Sequence, residues 1–491
     1  MTRDSASSGR TAPAGRYAGR RAGYVIPALF AQLLGMLLLS ACAGLGGPDY
    51  QRPEAPEKAA FSQSATGVTA ASAIQPDWWR AFGDPYLSNL VERAIASNVD
   101  IRILAARTGV AQAAISQAEA GLLPVLTAGA GTDTFKSSGS PSTTQYSAAS
   151  DVIWELDIWG KVRKGIDAQQ AEYRASEADW RAGYLVMVAD VATGYFQIRQ
   201  LDEQLAQQRK TLARNREILD IYTQMQGEGL MPRTAVLQQQ AEINRLQTIL
   251  LDLQRLRKVT ENGLATLLGV PADTLQVPEA GIRSVQAVEV PAGLPSGLMS
   301  RRPDIIAAEY RVLQAHDLAG QARLARLPSV SITGRGGSAS FALSDLLKSW
   351  TAGLSSLISI PVFDPNVQAR IKVSDAQTRL TEEQYRRTVL GAFEEVENAL
   401  TNLSNHRQQA MELSGRRDKL AVVSDQVYAQ LDEGMVSQLE VFEVERSLLD
   451  AEQQALANHW QILGDTVALF KALGGGWPQE TVTDASRRQA E

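Results

Sequence analysis

Between residues 160 and 226 the chain carries no proline, and its apolar positions recur with helical spacing. Ala178, Ala182, Leu185, Ala189, Ala192 and Phe196 follow alternating steps of four and three, and Ile198, Leu205, Leu212 and Leu219 keep a strict seven. That is the seam of a coiled coil, and its alanines let a second helix approach closely. At about 1.5 Å per residue this span reaches roughly 100 Å, far beyond a helix wrapped on a globular core. Gly227-Glu228-Gly229, with Pro232 just beyond, breaks the helix and turns the chain back. The return helix stops at Leu268-Gly269-Val270-Pro271, a Gly/Pro terminus. Upstream the period changes. From Leu87 to Leu122 the pattern is helical and rich in Ala, and Pro124 stops it; residues 125–136 and 144–157 then alternate with period two. Tyr146, Ala148, Ser150, Val152, Trp154 and Leu156 share one strand face, and Ser147, Ala149, Asp151, Ile153, Glu155 and Asp157 the other. Largely apolar on one side and polar on the other, with an aromatic near the end, these are strands of a membrane barrel. Lys136 to Thr144 reads as the hairpin loop between them.

The whole succession occurs twice. Asp100 and Asp304 are 204 residues apart, as are Pro124 and Pro328; Val191 and Val396, Gly229 and Gly434, and Leu268-Gly269 and Leu473-Gly474 are 205 apart. A shift held this constant means two tandem copies of one supersecondary unit. The predicted division is residues 1–41, 42–85, a first repeat over 86–271, a linker over 272–300, a second repeat over 301–476 and a tail over 477–491. In the first repeat the helical hairpin covers about 160–268. In the second, strands fall at about 329–341 and 350–361 and the hairpin at about 367–473, reversing near Glu433-Gly434 and ending at Leu473-Gly474-Gly475-Gly476. Strands of this length span about 25 Å of membrane when tilted. Four are too few to close a barrel.

The N-terminus gives an address. Arg16, Arg20 and Arg21 precede an apolar run from Ala28 to Leu39, too short for a comfortable membrane span, and Leu39-Ser40-Ala41-Cys42 follows. This is a lipoprotein signal cut before Cys42, whose thiol would take a diacylglycerol. Cys42 is the only cysteine, so a disulfide within the chain is excluded. Ala43 is not the Asp that retains a lipoprotein in the inner membrane, which points to the outer membrane and its lipid. Residues 43–75, rich in Pro, Ala, Ser and Gly, form an extended tether. After residues 1–41 are removed, 43 basic residues stand against 53 acidic ones, a balance that argues against nucleic acid. His316, His406 and His459 are read as solvated or packed, and no metal site or cofactor is expected. After Leu39 no run of 18 apolar residues appears, so a membrane-crossing part must be a β-barrel.

Several segments together resemble a known family. They are Gly47-Pro48-Asp49-Tyr50, Trp78-Trp79, Phe82-Gly83-Asp84-Pro85, Trp154-Glu155-Leu156-Asp157-Ile158-Trp159-Gly160, Leu294-Pro295-Ser296, Arg301-Arg302-Pro303-Asp304, Pro361-Val362-Phe363-Asp364 and Leu473-Gly474-Gly475-Gly476-Trp477. The set is similar, in order and over roughly residues 42–478, to the TolC-like outer-membrane factors, specifically the NodT-type lipoproteins of efflux pumps of the RND type. The resemblance implies a mainly α chain with a transmembrane β-barrel part. It implies a homotrimer in which each protomer gives four strands to one barrel and four long helical staves to one periplasmic tunnel, with 43–85, 271–300 and 477–491 in an equatorial belt. It implies passive conduction without chemistry, driven by an inner-membrane RND pump joined through a periplasmic adaptor. The turns at Gly229 and Gly434 would then form the periplasmic tip that docks the adaptor, with Glu228, Asp432 and Glu433 as gate candidates. Two departures stand out. Pro365-Asn366 follows Asp364 where family members often carry Gly-Gly, so the second long helix is expected to begin differently. Met435-Val436-Ser437 stands where closed-tip channels often place an Asp ring.

No phosphate loop, Ser/His/Asp set or metal spacing marks an enzyme. Glu394-Glu395 and Glu397 are read as solvated helix positions, and Arg301-Arg302 as charge pairing in the belt. The alternative reading is a non-conducting coiled-coil scaffold or adaptor lipoprotein, against which the four amphipathic strands at matching repeat positions weigh.

Overall fold

A computed structural model describes residues 47–54, 61, 75–286, 288–290, 295–475 and 477. Cys42 and most of the tether lie outside the described residues. The chain divides into two compact units, residues 1–49 and 50–491. Of the first, only residues 47–49 are described, with Gly47 at φ 107°. Among the described residues, the helices and strands all belong to the second.

Both repeats start with a short helical arm. Asp84 caps α1 (Pro85–Ser97), its Oδ1 accepting from the Tyr86 and Leu87 amides at 2.8 and 3.1 Å with Pro85 in the first turn. Leu87, Leu90, Val91 and Ala94, spaced for one helix face, are fully buried. Each such side chain contributes about 1.5–3 kcal/mol of burial. The single helical stretch expected over 87–122 is in fact two. Asn98 takes an extended ψ of 129° and caps α2 (Val99–Glu119), accepting from the Ile101 amide at 2.9 Å. Its Nδ2 also donates to the Leu267 carbonyl at 2.8 Å, which pins the break to the end of the first hairpin.

Strands β1 (Val125–Phe135) and β2 (Thr143–Leu156) follow. Then come α3 (Lys161–Gly227) and α4 (Arg233–Leu267), the first long hairpin. The second repeat supplies α5 (Pro295–Arg301), α6 (Pro303–Leu324), β3 (Ser329–Ser340), β4 (Thr351–Ser359), α7 (Pro365–Asp432) and α8 (Gln438–Ala472). The last strand is shorter than expected at both ends. Trp350 belongs to the preceding loop, and Pro361, which has no amide to donate, follows two residues after the strand stops. The two long helices also start differently from each other. Asp364 caps α7 directly, with Pro365 at its first position. In the first repeat Asp157 accepts from the Val162 and Arg163 amides only after the chain has passed Gly160 at φ 78°.

The sheet runs β1-β2-β3-β4, antiparallel throughout, with β2 and β3 joining the repeats from Leu156↔Val330 to Tyr146↔Ser340. The core lies where the staves pass the short helices. Trp78 stacks on Phe470 at 4.8 Å, Phe82 meets Phe196 edge-on at 5.0 Å, and Leu87, Val191 and Phe196 fill the space between. Burial carries ion pairs here as well. Arg257 donates to Asp202 at 2.5 Å and to the Val277 carbonyl at 2.7 Å, and Arg199 donates to the Pro278 carbonyl at 2.6 Å, which ties the linker to the first hairpin. One expectation is corrected at this level. Glu395 is not merely solvated: it pairs at 2.8 Å with Arg302, whose side chain is 8% exposed and also donates to the Ala472 carbonyl at 3.0 Å. A buried guanidinium needs such partners, and the acid on the facing stave supplies one.

Candidate functional site: a strand sheet, a helical seam and a tip

The ladder register decides what the sheet can face. Leu126, Ala128, Ala130, Ala148, Val152, Trp154, Ile332, Leu354 and Ile358 fall on one face; Thr127, Asp133, Gln145, Ser147, Asp151, Glu155, Ser331, Thr333, Arg335 and Ser355 fall on the other. The polar face carries an ion pair across the repeat boundary, Arg335 to Asp151 at 3.0 Å. The apolar face is open, with Leu126 70% and Leu354 81% exposed. Both β1 and β4 end the ladder and have no partner on their outer edges among the described residues. An apolar face and two free edges are a membrane sheet awaiting closure. Trp154 and Trp159, at the helix-side end, anchor it by donating to the Leu122 and Pro328 carbonyls at 2.8 and 2.6 Å. Among the described residues no helix is long and apolar enough to cross a membrane.

Below the sheet, α3 presents the seam Leu201, Leu205, Gln208, Leu212, Asn215 and Tyr222, all buried. Two amide nitrogens bond across the hairpin: Gln208 donates to the Leu246 carbonyl at 2.9 Å, and Gln239 donates to the Asn215 carbonyl and side-chain oxygen at 2.8 and 3.0 Å, while the Oε1 of each glutamine is buried without a hydrogen-bond partner. Polar layers in an apolar seam fix which residues face each other.

At the far end the two turns are built alike. Gly229 sits at φ 76° and Gly434 at φ 71°, a conformation that costs other residues strain. The Leu230 amide donates to the Met225 carbonyl at 2.8 Å and the Gly229 amide to Gln226 at 3.1 Å; Met435 to Gln430 at 2.8 Å and Gly434 to Leu431 at 2.9 Å repeat the pattern. This is the Schellman closure of a helix. The return helices differ. Ser437 caps α8 in a reciprocal box with Glu440, whereas Pro232 precedes α4 without a side-chain cap. Of the gate candidates, Glu228 and Glu433 are exposed and have no ion-pair partner among the described residues. Asp432 ends α7, and its side chain lies outside the described residues. Glu228 lies on one hairpin tip and Asp432 and Glu433 on the other, and no described bond joins Glu228 to Glu433.

What does join the hairpins near the tip is a cluster that sequence reasoning missed. Arg214 of α3 pairs with Glu445 of α8 at 3.1 Å and lies 4.0 Å over the ring of Tyr428 of α7, while the Tyr428 hydroxyl donates to the same Glu445 carboxylate. Burial, and then the Glu445 contact, pushes the Tyr428 hydroxyl pKa up, so it stays a donor. The three residues sit far apart in sequence and follow no motif. Only the distance of Tyr428 and Glu445 on either side of the Gly434 turn hinted at a pair. The histidines are all engaged: His316 against the Tyr50 ring at 5.7 Å, His406 with Asp465 at 2.6 Å, His459 with the Val285 carbonyl at 3.1 Å. Among the described residues no group of three or more potential ligands could hold a metal.

The fold and these surfaces have known counterparts. The family model for the outer membrane efflux protein matches twice, over residues 90–270 and 294–475. The chain is 31% identical over 469 residues to the antibiotic efflux pump outer membrane protein ArpC of Pseudomonas putida, covering 90% of this chain and 94% of that one. It is 30% identical over 456 residues to the probable outer membrane lipoprotein SilC of Salmonella typhimurium, covering 90% and 97%. Among solved structures it matches the outer-membrane channel OprN with a TM-score of 0.78 at 27% identity, covering 88% of this chain and 100% of that one. It matches CusC with a TM-score of 0.77 at 26% identity, covering 87% and 99%. The chain belongs to the outer membrane efflux protein family. It has the TolC-like fold that the resemblance implied and is an outer-membrane channel of an efflux pump.

Proposed function

We propose that three copies of the chain close one twelve-stranded barrel, β4 of each pairing with β1 of the next, above a tunnel of twelve long staves. The observation that carries this is the four-stranded sheet with one apolar face and two unpaired edges. In lipid every such edge must be paired, and closure by copies of the same chain does so. The polar strand faces then line the pore. Transport is passive, with no cofactor, metal or catalysis, and the energy comes from an inner-membrane RND pump joined by a periplasmic adaptor. Related proteins named for export of antibiotics, cations and pyoverdine are all 29–31% identical to this chain, which supports placing substrate choice in the pump rather than in the channel. Cys42 carries the acyl anchor to outer-membrane lipid.

The tip turns at Gly229 and Gly434 dock the adaptor and gate the tunnel. Glu228, Asp432 and Glu433 gather there from three chains around the axis, and their repulsion makes the closed tip sensitive to salt and divalent ions. The Arg214–Tyr428–Glu445 cluster holds the hairpins together in the closed arrangement. The trimer is tested by chemical cross-linking of native outer membranes, which should give a ladder ending at three; a dominant monomer that conducts would refute it. The tip is tested with Gly229→Trp and Gly434→Trp combined. Normal trimer level with impaired drug efflux is expected; normal level with normal efflux removes any docking or gating role.

A further inference from the structure

We infer that the lipid-facing side of the sheet holds a groove for one acyl chain of lipid A, the phosphate-bearing lipid of the outer leaflet. The inference rests on the closed, membrane-spanning barrel proposed above. A cavity of about 580 Å³ crosses all four strands; Ala128, Ala130, Ala148, Ser338, Leu347 and Trp350 are among its lining. The register places Ala128, Ala130, Ala148 and Ser338 on the apolar face. One step beyond the last pair, Gly337↔Thr351, the same register sets Trp350 opposite Ser338. The Ser338 Oγ is buried and has no hydrogen-bond partner.

Three features choose the occupant. The lining keeps to the same ladder rungs across the sheet, from Trp350, Thr351 and Ala352 at the start of β4, beside the β3–β4 loop, to Ala128 and Ala130 in the middle of β1, and in a barrel whose strands tilt by about 35–45° such a path is inclined to the membrane plane. Across four strands that path is about 14 Å long, the scale of a lipid tail. The loop at its upper end is also unlike its counterpart. Residues 136–142 are polar, whereas the β3–β4 loop carries Phe341, Leu343, Leu347 and Trp350, each at least 64% exposed. A water-facing loop has no use for four large apolar side chains, but a loop lying in the outer leaflet does. Lys348, 73% exposed and paired with Asp345 at 2.6 Å, sits among them where a lipid phosphate would lie. A small-residue trough walled by Leu347 and Trp350 gives a tail room that the Leu126, Val152 and Leu354 surface below it does not.

The test is native mass spectrometry of the purified trimer incubated with lipid A or, separately, with phosphatidylglycerol. Up to three lipid A molecules per trimer beyond the covalent modification are expected, with several-fold weaker retention of phosphatidylglycerol. Ala148→Phe should fill the trough and cut lipid A retention at least several-fold while single-channel conductance stays normal. If Ala148→Phe lowers trimer level, Ala130→Val provides the same reading with a smaller change. Brominated acyl chains should quench tryptophan fluorescence by an amount that disappears in Trp350→Phe. Equal lipid A retention by the filled and native trimers would overturn the groove and leave the channel reading intact. Equal retention of both lipids would overturn the choice of lipid A. Cross-linking of Leu347→Cys to a neighbouring copy across the trough would show that protein, not lipid, covers it.

Discussion

Four glycines close long helices in this chain with the same hydrogen-bond pattern and nearly the same backbone angle, yet they should tolerate alanine very differently. Gly229, Gly434, Gly269 and Gly474 lie at φ 76°, 71°, 66° and 72°. A Cβ forced into that region costs about 1 kcal/mol from backbone strain alone. At Gly229 and Gly434 an added Cβ meets nothing within 4 Å, so the strain is the whole cost. At Gly474 it would stand 3.1 Å from the Arg301 carbonyl carbon and oxygen and 3.2 Å from the Arg302 Cα, all backbone. At Gly269 it would stand 2.3 Å from the Ser97 carbonyl oxygen. That backbone cannot yield freely, because Ser97 Oγ donates to the Leu268 carbonyl at 2.6 Å and Asn98 to Leu267 at 2.8 Å. Overpacking adds about 1–3 kcal/mol or more to the strain. The expected order of damage is Gly269→Ala, then Gly474→Ala, then the two tip variants together. Trimer survival against temperature, read on detergent-solubilised protein by gel mobility, measures it. A tip variant as damaging as Gly269→Ala would refute the reasoning, since strain alone would then dominate at all four sites.

Further outcomes follow from the same contacts. Cys42→Ser should abolish labelling by radioactive palmitate yet leave most of the trimer, because paired strands in lipid hold it more firmly than acyl chains do. Arg214→Ala, or Tyr428→Phe, should loosen the tip by about 1 kcal/mol, seen as a several-fold rise in channel opening frequency with trimer level unchanged. Arg302→Ala should cost about 1–3 kcal/mol, chiefly because it leaves the Ala472 carbonyl without its donor while the half-exposed Glu395 and Asp304 return to water, and should lower trimer yield. Burial pushes the Asp465 carboxyl pKa up, against the pull of His406. The folded chain thus holds that proton more tightly than the unfolded one, and the stabilisation is complete at low pH and lost as pH rises through the raised value. Asp465→Asn should therefore lose less stability than the native chain as the pH rises above the ordinary carboxyl pKa of about 4, as thermal unfolding would show.

Much of this architecture could be read along the chain, because membrane strands and coiled-coil staves are the elements whose periodicity is strictest. The seven-residue steps through Leu205 and Leu212 and the two-residue steps through Val152 and Trp154 each leave one solution for which side faces the partner. The tip glycines were legible for a similar reason: a positive φ at a helix end selects glycine, and the repeat placed both. What stayed hidden depends on distance in three dimensions. Nothing near Arg214 in sequence indicates Tyr428 or Glu445, and nothing near Glu395 indicates Arg302. The break at Asn98 was obscured because apolar spacing continues across it; the cap that makes it is satisfied by Leu267, 169 residues away. The contrast between Gly229 and Gly269, identical in motif, arises only from what packs beside them.

On the proposal above, this chain forms a conducting pore by closing its four strands with two further copies. Single-channel recording of the purified protein in a planar bilayer tests it most directly. Stable ion conductance is expected from a species that cross-links as a trimer, with brief openings that become several-fold more frequent in Arg214→Ala. A folded, membrane-inserted trimer that never conducts, in the native form or in Arg214→Ala, would contradict it and favour a coiled-coil scaffold.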